Sequence, residues 1–517
     1  MNSSTRRGSP SLTVTTLLGI IFVLLHLGTE GFAQSEEDHR AWLQALDSLS
    51  NERILADVRT LSSPSFNGRQ AGSEDDLRSA QWFAQELTSV GVTLPLIYNS
   101  PLTFPFPTTR TGVPIGVMAS MIATSLIAPD SVIRTGTTDQ LVSAQLSKDY
   151  LPVFDSPSID LQGQIVFVGY GIVDPIQGID DYADVDVNNR IVLFLRGKPD
   201  HYPRPVSHAD KIRFARDRGA LAYLTATGPI LSPYEVRRGV TGRPSAFYGQ
   251  LPPDQALPGA WISTDLAETL LVGSGEGSAG DRLRTLQEQL NKTPLTRSRL
   301  ANQYASLYWK TTRQDGLMTN VVGMIPGTGP DIIVIGAHRD HFGRPAGLWF
   351  PGADDNASGT AVMLEVARAL GKIGQRPQRT ILLVSFSGEE NDLLGSRLYT
   401  SRPVVPLGST KAMINIDHAG VGNGRLTAGV TGLEKTTAEE AGRAAGLVDK
   451  LDLYGFFPGG DHVPFKEAGV PTVTIVSGGI HPHFHQPTDT ADTINPDILQ
   501  AVARYVLALT WQLANTP

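Results

Sequence analysis

Ile332-Ile333-Val334-Ile335-Gly336-Ala337-His338-Arg339-Asp340 is a continuous apolar run that stops on a histidine and an acid. Three further runs end in the same way. Ile381-Leu382-Leu383-Val384 leads through Ser385-Phe386-Ser387-Gly388 to Glu389-Glu390. Met413-Ile414-Asn415-Ile416 ends on Asp417, and Val473-Thr474-Ile475-Val476 leads past a glycine turn to His481, His483 and His485. Continuous apolar runs mark parallel strands covered on both faces. In open α/β sheets ligands bind beyond the carboxyl ends of such strands. Core packing gives no reason to put His, Asp or Glu at each of these ends, so the ends mark a candidate site.

Helical patterns separate the runs. Gly359–Leu370 places Val362, Met363, Val366, Ala367 and Leu370 on one face, with Ser358 as its expected N-cap. Just before it stand Asp354 and Asp355 in Pro351-Gly352-Ala353-Asp354-Asp355-Asn356. Alone they read as caps favoured by the helix dipole; beside four other clusters they read as part of the site. Upstream, residues 36–49 and 51–61 read as short helices. Ser73 and the acids Glu74, Asp75 and Asp76 open a third helix, carrying Leu77, Ala80, Phe83, Ala84 and Leu87 and stopped by Gly91. Residues 100–145 are rich in Pro and Thr and show no periodic pattern. Between 147 and 298 the texture changes. Strand runs at 165–172 and 191–195, a helix over 209–218 and a strand at 220–224 carry no chemically suggestive cluster, which reads as an inserted domain. The fold class expected is α/β, a mixed, mostly parallel sheet flanked by helices, with a β-rich insert.

The chain's 517 residues suffice to bury a core without staples. A net charge of −8 and a pI near 5.8 argue against nucleic acid as the main partner. There is no cysteine, which excludes disulfides, a thiol nucleophile and a Cys-ligated metal. Residues 1–33 read as an export signal, with Arg6 and Arg7, an apolar stretch from Leu12 to Leu27, and small residues at Gly31-Phe32-Ala33. That stretch is short for a membrane span of about 20 residues. The expectation is an exported protein, periplasmic or extracellular, with no stable membrane span after cleavage. The layout that follows is 1–33 signal, 34–146 and 299–517 the two parts of the main domain, and 147–298 the insert.

Of the 11 histidines, His338, His341, His418, His462, His481, His483 and His485 fall in the site-bearing half. Imidazole and carboxylate without sulfur suit zinc, with cobalt or manganese as alternatives. A carboxylate bridging two metals lets an attacking water be held between them. A separate carboxylate then takes the proton and passes it on. Glu389-Glu390 offers a base and a ligand side by side. His338 and Asp340, two apart at a strand end, can face the same side. No G-x-S-x-G elbow, H-E-x-x-H helix or Walker A loop is present.

Five segments in order resemble the co-catalytic dizinc exopeptidases, the family of bacterial leucyl aminopeptidases, aminopeptidase Y and glutamate carboxypeptidase. They are His338-Arg339-Asp340; Pro351 to Gly359; Ser387-Gly388-Glu389-Glu390 with Leu394-Gly395-Ser396; Asn415-Ile416-Asp417; and His485-Gln486-Pro487-Thr488-Asp489-Thr490. Asn67-Gly68-Arg69-Gln70-Ala71-Gly72-Ser73 resembles the family's N-terminal element. Val168–Ile172, Asp180-Asp181-Tyr182 and Ile191–Gly197 resemble a protease-associated domain. The resemblance implies the zinc exopeptidase fold and two Zn ions. His338 and Asp417 would hold one, Glu390 and His485 the other, and Asp355 would bridge. Glu389 would be the general base, Asp340 would orient His338, and His462 would face the developing oxyanion. Among His481, His483 and His485 only the last is followed by the family's x-x-x-Asp-Thr. His418 stands where many members have Met, and Gly460 replaces a serine before Asp461-His462.

The substrate implied is a peptide or protein; the oligomeric state is not legible. An aminopeptidase needs acidic groups near a free amine, whereas a carboxypeptidase needs an arginine clamp for the α-carboxylate. Asp355, Glu389, Glu390, Asp417 and Asp461 favour the first. Alternation should turn Arg339 away from the metals, leaving Arg344 as the cation able to swing inward. The His-Arg-Asp triplet also resembles the glutamate carboxypeptidase branch. The remaining readings are a receptor-like protein that has lost its metals and a single-zinc acyltransferase resembling glutaminyl cyclases.

Overall fold

Buried β-strands alternate with helices through the second half of the chain, and their order shows where the site must lie. A computed structural model describes residues 40–90, 116–232, 235–236, 239–272, 279–293 and 299–516. The expected leader over 1–33, the first residues of the helix read over 36–49, and Gly91 lie outside these residues.

The first of two large sheets has eight strands. In chain order they are β1 (Gly116–Ile127), β2 (Thr311–Ile325), β3 (Ile332–His338), β4 (Thr380–Phe386), β5 (Thr410–Ile416), β6 (Leu426–Thr431), β7 (Leu451–Tyr454) and β8 (Thr472–Ser477). Their spatial order is β1-β2-β4-β3-β5-β8-β6-β7. The central strands β4, β3, β5 and β8 run parallel. β1 and β2 on one side, and β6 beside β8, are antiparallel. The sheet is therefore mixed with a parallel centre, the class that the unbroken apolar runs imply. Alternation assigns the two faces of β3. Ile333, Ile335 and Ala337 join the large core under helices α1 (Asn51–Leu61), α3 (Gly359–Leu370) and α4 (Pro496–Asn515). Val334 packs with Leu382, Phe386, Tyr399, Met413 and Phe465 on the other face.

The helix read from Asn51 forms with those ends, capped by Ser50. Helix α2 (Glu74–Ser89) starts where its acidic first turn requires, with the Ser73 side chain accepting from Asp76 N. Ser358 does not cap α3: its hydroxyl donates to the Asp354 carbonyl. Asn356 Oδ1 accepts from the Gly359 N–H at 2.9 Å instead.

Arg69 locks the N-terminal element against the site. It is fully buried and donates to the carbonyls of Arg339, Leu61, Pro351 and Gly352. Gly68 makes this possible. A Cβ there would stand 2.4 Å from the Phe350 carbonyl oxygen, and its φ is +77°.

The second sheet is carried between β1 and β2. Its eight strands include 159–167, 191–195, 222–226 and 299–309. They begin at Val132 and end at Trp309, on either side of the 147–298 interval suggested by texture. The helix here spans His208–Arg216 and the strand after it Ala222–Ala226.

Candidate metal centre

Parallel pairing in register brings the carboxyl ends of β3, β4, β5 and β8 to one edge. His338 closes β3, Asp417 follows β5, Glu389 and Glu390 follow β4, and His485 lies on the loop beyond β8. Asp355 arrives from the turn before α3, at the same edge.

The two oxygens of Asp355 face different histidines. Oδ1 is 3.4 Å from His338 Nε2, and Oδ2 is 3.0 Å from His485 Nε2. His338 Nε2 is also 3.4 Å from Asp417 Oδ1, and His485 Nε2 is 3.4 Å from Glu390 Oε2. Two ligand atoms bound to one tetrahedral zinc stand about 3.3–3.6 Å apart. His338 Nε2, Asp355 Oδ2 and Asp417 Oδ1 are buried and have no hydrogen-bond partner. Donor atoms that converge at this spacing fit divalent cations. Burial pushes the Glu389 and Glu390 carboxyls well above the usual range; Asp417 adds to the first, and Asp355 and Glu389 to the second. Such a set holds its negative charge only with positive charge among it.

Supporting contacts aim these groups. Asp489 accepts from the Asp354 N–H at 2.9 Å and the Asp355 N–H at 3.1 Å, which fixes the turn that presents Asp355. His341 Nδ1 lies 2.7 Å from Glu390 Oε1. Burial lowers the pKa of His341 well below the ordinary imidazole value, so a neutral ring supports Glu390. Neither Asp489 nor His341 was given a role from the sequence. Asp340 holds His338 by its main chain: Nδ1 is 3.2 Å from the carbonyl and 3.7 Å from Oδ1 of the carboxylate, which accepts from Glu389 N.

Three further side chains take up partners away from the two candidate zinc positions. His462 is buried, and its Nε2 donates to the Phe457 carbonyl at 2.7 Å. Burial lowers its pKa, and its other ring nitrogen, Nδ1, is buried with no hydrogen-bond partner. His481 turns to Asp354, with Nδ1 2.6 Å from Oδ2. Arg344 does not swing inward; its Nε donates to Asn67 Oδ1 at 2.6 Å. Arg339 behaves as alternation requires and points at α2.

A cavity of about 590 Å³ opens over the centre. Asp355, Glu389, Glu390, Asp392, Asp417 and Asp452 line it, and no Lys or Arg is among its described lining residues.

Residues 320–510 match the model of peptidase family M28. This part of the chain is similar to that family. Among curated relatives, aminopeptidase YwaD of Bacillus subtilis (strain 168) is 30% identical over 194 residues, covering 35% of this chain and 41% of that protein. A probable leucine aminopeptidase of Trichophyton verrucosum is 29% identical over 212 residues, covering 38% and 57%. The chain thus spans about half the length of the curated relatives it matches. Among solved structures, an aminopeptidase from Aneurinibacillus sp. strain AM-1 superposes with a TM-score of 0.64 at 21% identity, over 93% of this chain and 97% of that one. The zinc aminopeptidase BSAP from Bacillus subtilis gives 0.59 at 19% identity, over 90% and 96%. These two superpositions show that the chain shares their fold along nearly its whole length.

Proposed function

We propose that this protein is an exported dizinc aminopeptidase. The observation that carries the direction of attack is the cavity wall, which is lined by carboxylates and by no described Lys or Arg. A free α-amine is stabilised there, and a peptide's α-carboxylate is repelled. Phe247, Phe457, Val476, Ile480 and Phe484 supply an apolar wall for the side chain of the first residue. The curated relatives named above are aminopeptidases, which agrees with this reading.

His338 and Asp417 would hold one zinc, Glu390 and His485 the other, with Asp355 shared. Bound zinc supplies Lewis acidity toward the scissile carbonyl and lowers the pKa of water. Glu389 is not needed as a ligand, so its carboxylate is free to take up a proton and return it to the leaving amine. Asp340 positions both groups, through its carbonyl on His338 and its carboxylate on the Glu389 N–H. The leader read over residues 1–33 supports export, and among the described residues no helix is long and apolar enough to cross a membrane. The second domain is read as a protease-associated domain.

Peptides blocked at one end test the proposal. Hydrolysis of an amino-acid anilide with a free amine is expected, with none of an N-acetylated peptide bearing a free carboxylate. The reverse pattern would make the protein a carboxypeptidase.

A further inference from the structure

One short arm of the second domain reaches the metal centre. Ala246 and His485 exchange two hydrogen bonds. The Ala246 N–H donates to the His485 carbonyl at 3.0 Å. The Ala246 carbonyl accepts from His485 Nδ1 at 2.8 Å. Gln486 extends the seam, its Nε2 donating to the Pro244 carbonyl at 2.9 Å and to Ser245 Oγ at 2.8 Å. Two residues on, Tyr248 packs against Phe154 and Phe342, and its hydroxyl accepts from Gln70 Nε2 at 3.2 Å. Ser245 and Ala246 are buried.

A carbonyl can only accept. The 2.8 Å contact therefore puts the ring proton of His485 on Nδ1 and leaves the Nε2 lone pair facing Asp355 and Glu390. His338 receives the same service from its own domain, through the Asp340 carbonyl. His485 receives it from a different domain.

We propose that the second domain positions a ligand of the metal centre: the Ala246 carbonyl, pinned by Gln486, sets the tautomer and aim of His485 and thereby the zinc affinity of the Glu390–His485 pair. The proposal rests on the dizinc reading above. It makes the two zinc sites unequal. Only one depends on how the second domain is seated, so loosening the seam weakens one ion and spares the other.

Zinc binding to the full-length protein, stripped and then titrated against a chromophoric chelator, tests this. Gln486→Leu removes the pin, and Ala246→Pro removes the N–H of the seam. Each is expected to weaken one of two ions about 10- to 100-fold, the usual cost of losing the partner that orients a ligating imidazole. The other ion is expected to bind as in wild type, with an unchanged circular dichroism spectrum. His485→Ala is the reference and should lose one ion outright. If it keeps two, the dizinc assignment falls and the proposal with it. If it loses one while both seam variants bind two ions at wild-type affinity, the proposal alone is overturned. Equal weakening of both ions in the seam variants also overturns it.

Discussion

Arg339 and Asp76 form a 2.7 Å ion pair in which both side chains are fully removed from solvent. Arg339 stands between His338 and Asp340, and by alternation it points to the opposite face of β3, where it meets α2. Its Nε donates to Ser79 Oγ and its Nη1 to the Ser385 carbonyl, while Asp76 also accepts from Ser387 Oγ. The pair fastens the N-terminal element to the strand ends that carry the site. Removing one partner of such a pair leaves a buried uncompensated charge, at a cost of about 3–5 kcal/mol. Asp76→Ala is expected to lose that much in denaturant unfolding. A loss below about 1 kcal/mol, the range of exposed pairs, would show that water reaches Arg339.

Glu389→Gln removes the proposed base and spares the ligands. The variant should bind zinc as wild type does and lose about 100- to 10,000-fold in kcat, the range for general acid–base catalysis. Turnover at the wild-type rate in the metal-loaded variant would take Glu389 out of the mechanism.

Asp355 and Asp340 separate the proposed shared ligand from the proposed orienting group. Asp355→Ala should deplete zinc far more than Asp340→Ala, because the Asp340 contact to His338 is made by a carbonyl that the substitution keeps. Elemental analysis of both variants decides this. Full zinc in Asp355→Ala would move the bridge to Asp354.

Lys211 gives the second domain a pH signature. It is buried, and burial lowers its pKa from 10.5 to about 7. Between these values the unfolded chain holds a proton that the folded chain has released, so stability rises with pH through this window. Below about pH 7 the charged ammonium is buried and its cost is fully present. Lys211→Met is expected to flatten the rise in melting temperature between pH 7 and 10.5, the window set by the two values. An unchanged slope would place the titration elsewhere.

What was legible in the sequence was local. Strands covered on both faces leave unbroken apolar runs, and the first residue past each run lies at the sheet edge. His338, Glu389, Glu390 and Asp417 could therefore be named from position alone. His485 and Asp355 sit on loops, and only their likeness to family segments singled them out. The helix start at Ser73 was legible because a cap and the turn it serves are adjacent in the chain.

The tertiary structure decided the contacts between distant segments. His341 and Glu390 are 49 residues apart, Asp354 and Asp489 135, Ala246 and His485 239. Packing alone sets such pairs. Ala246 acts through a carbonyl that every residue possesses, so no side-chain pattern could mark it. Arg344 and His462 show the converse. Their residue types suited a substrate site, but packing turned the Arg344 Nε to Asn67 and the His462 Nε2 to Phe457, contacts that no local pattern foretold. The amino-acid sequence by itself determined which chemistry this protein carries to the sheet edge. Which donors remain free there, and which domain aims each ligand, depended on the folded chain, because a hydrogen bond is allotted by distance in space and not along the chain.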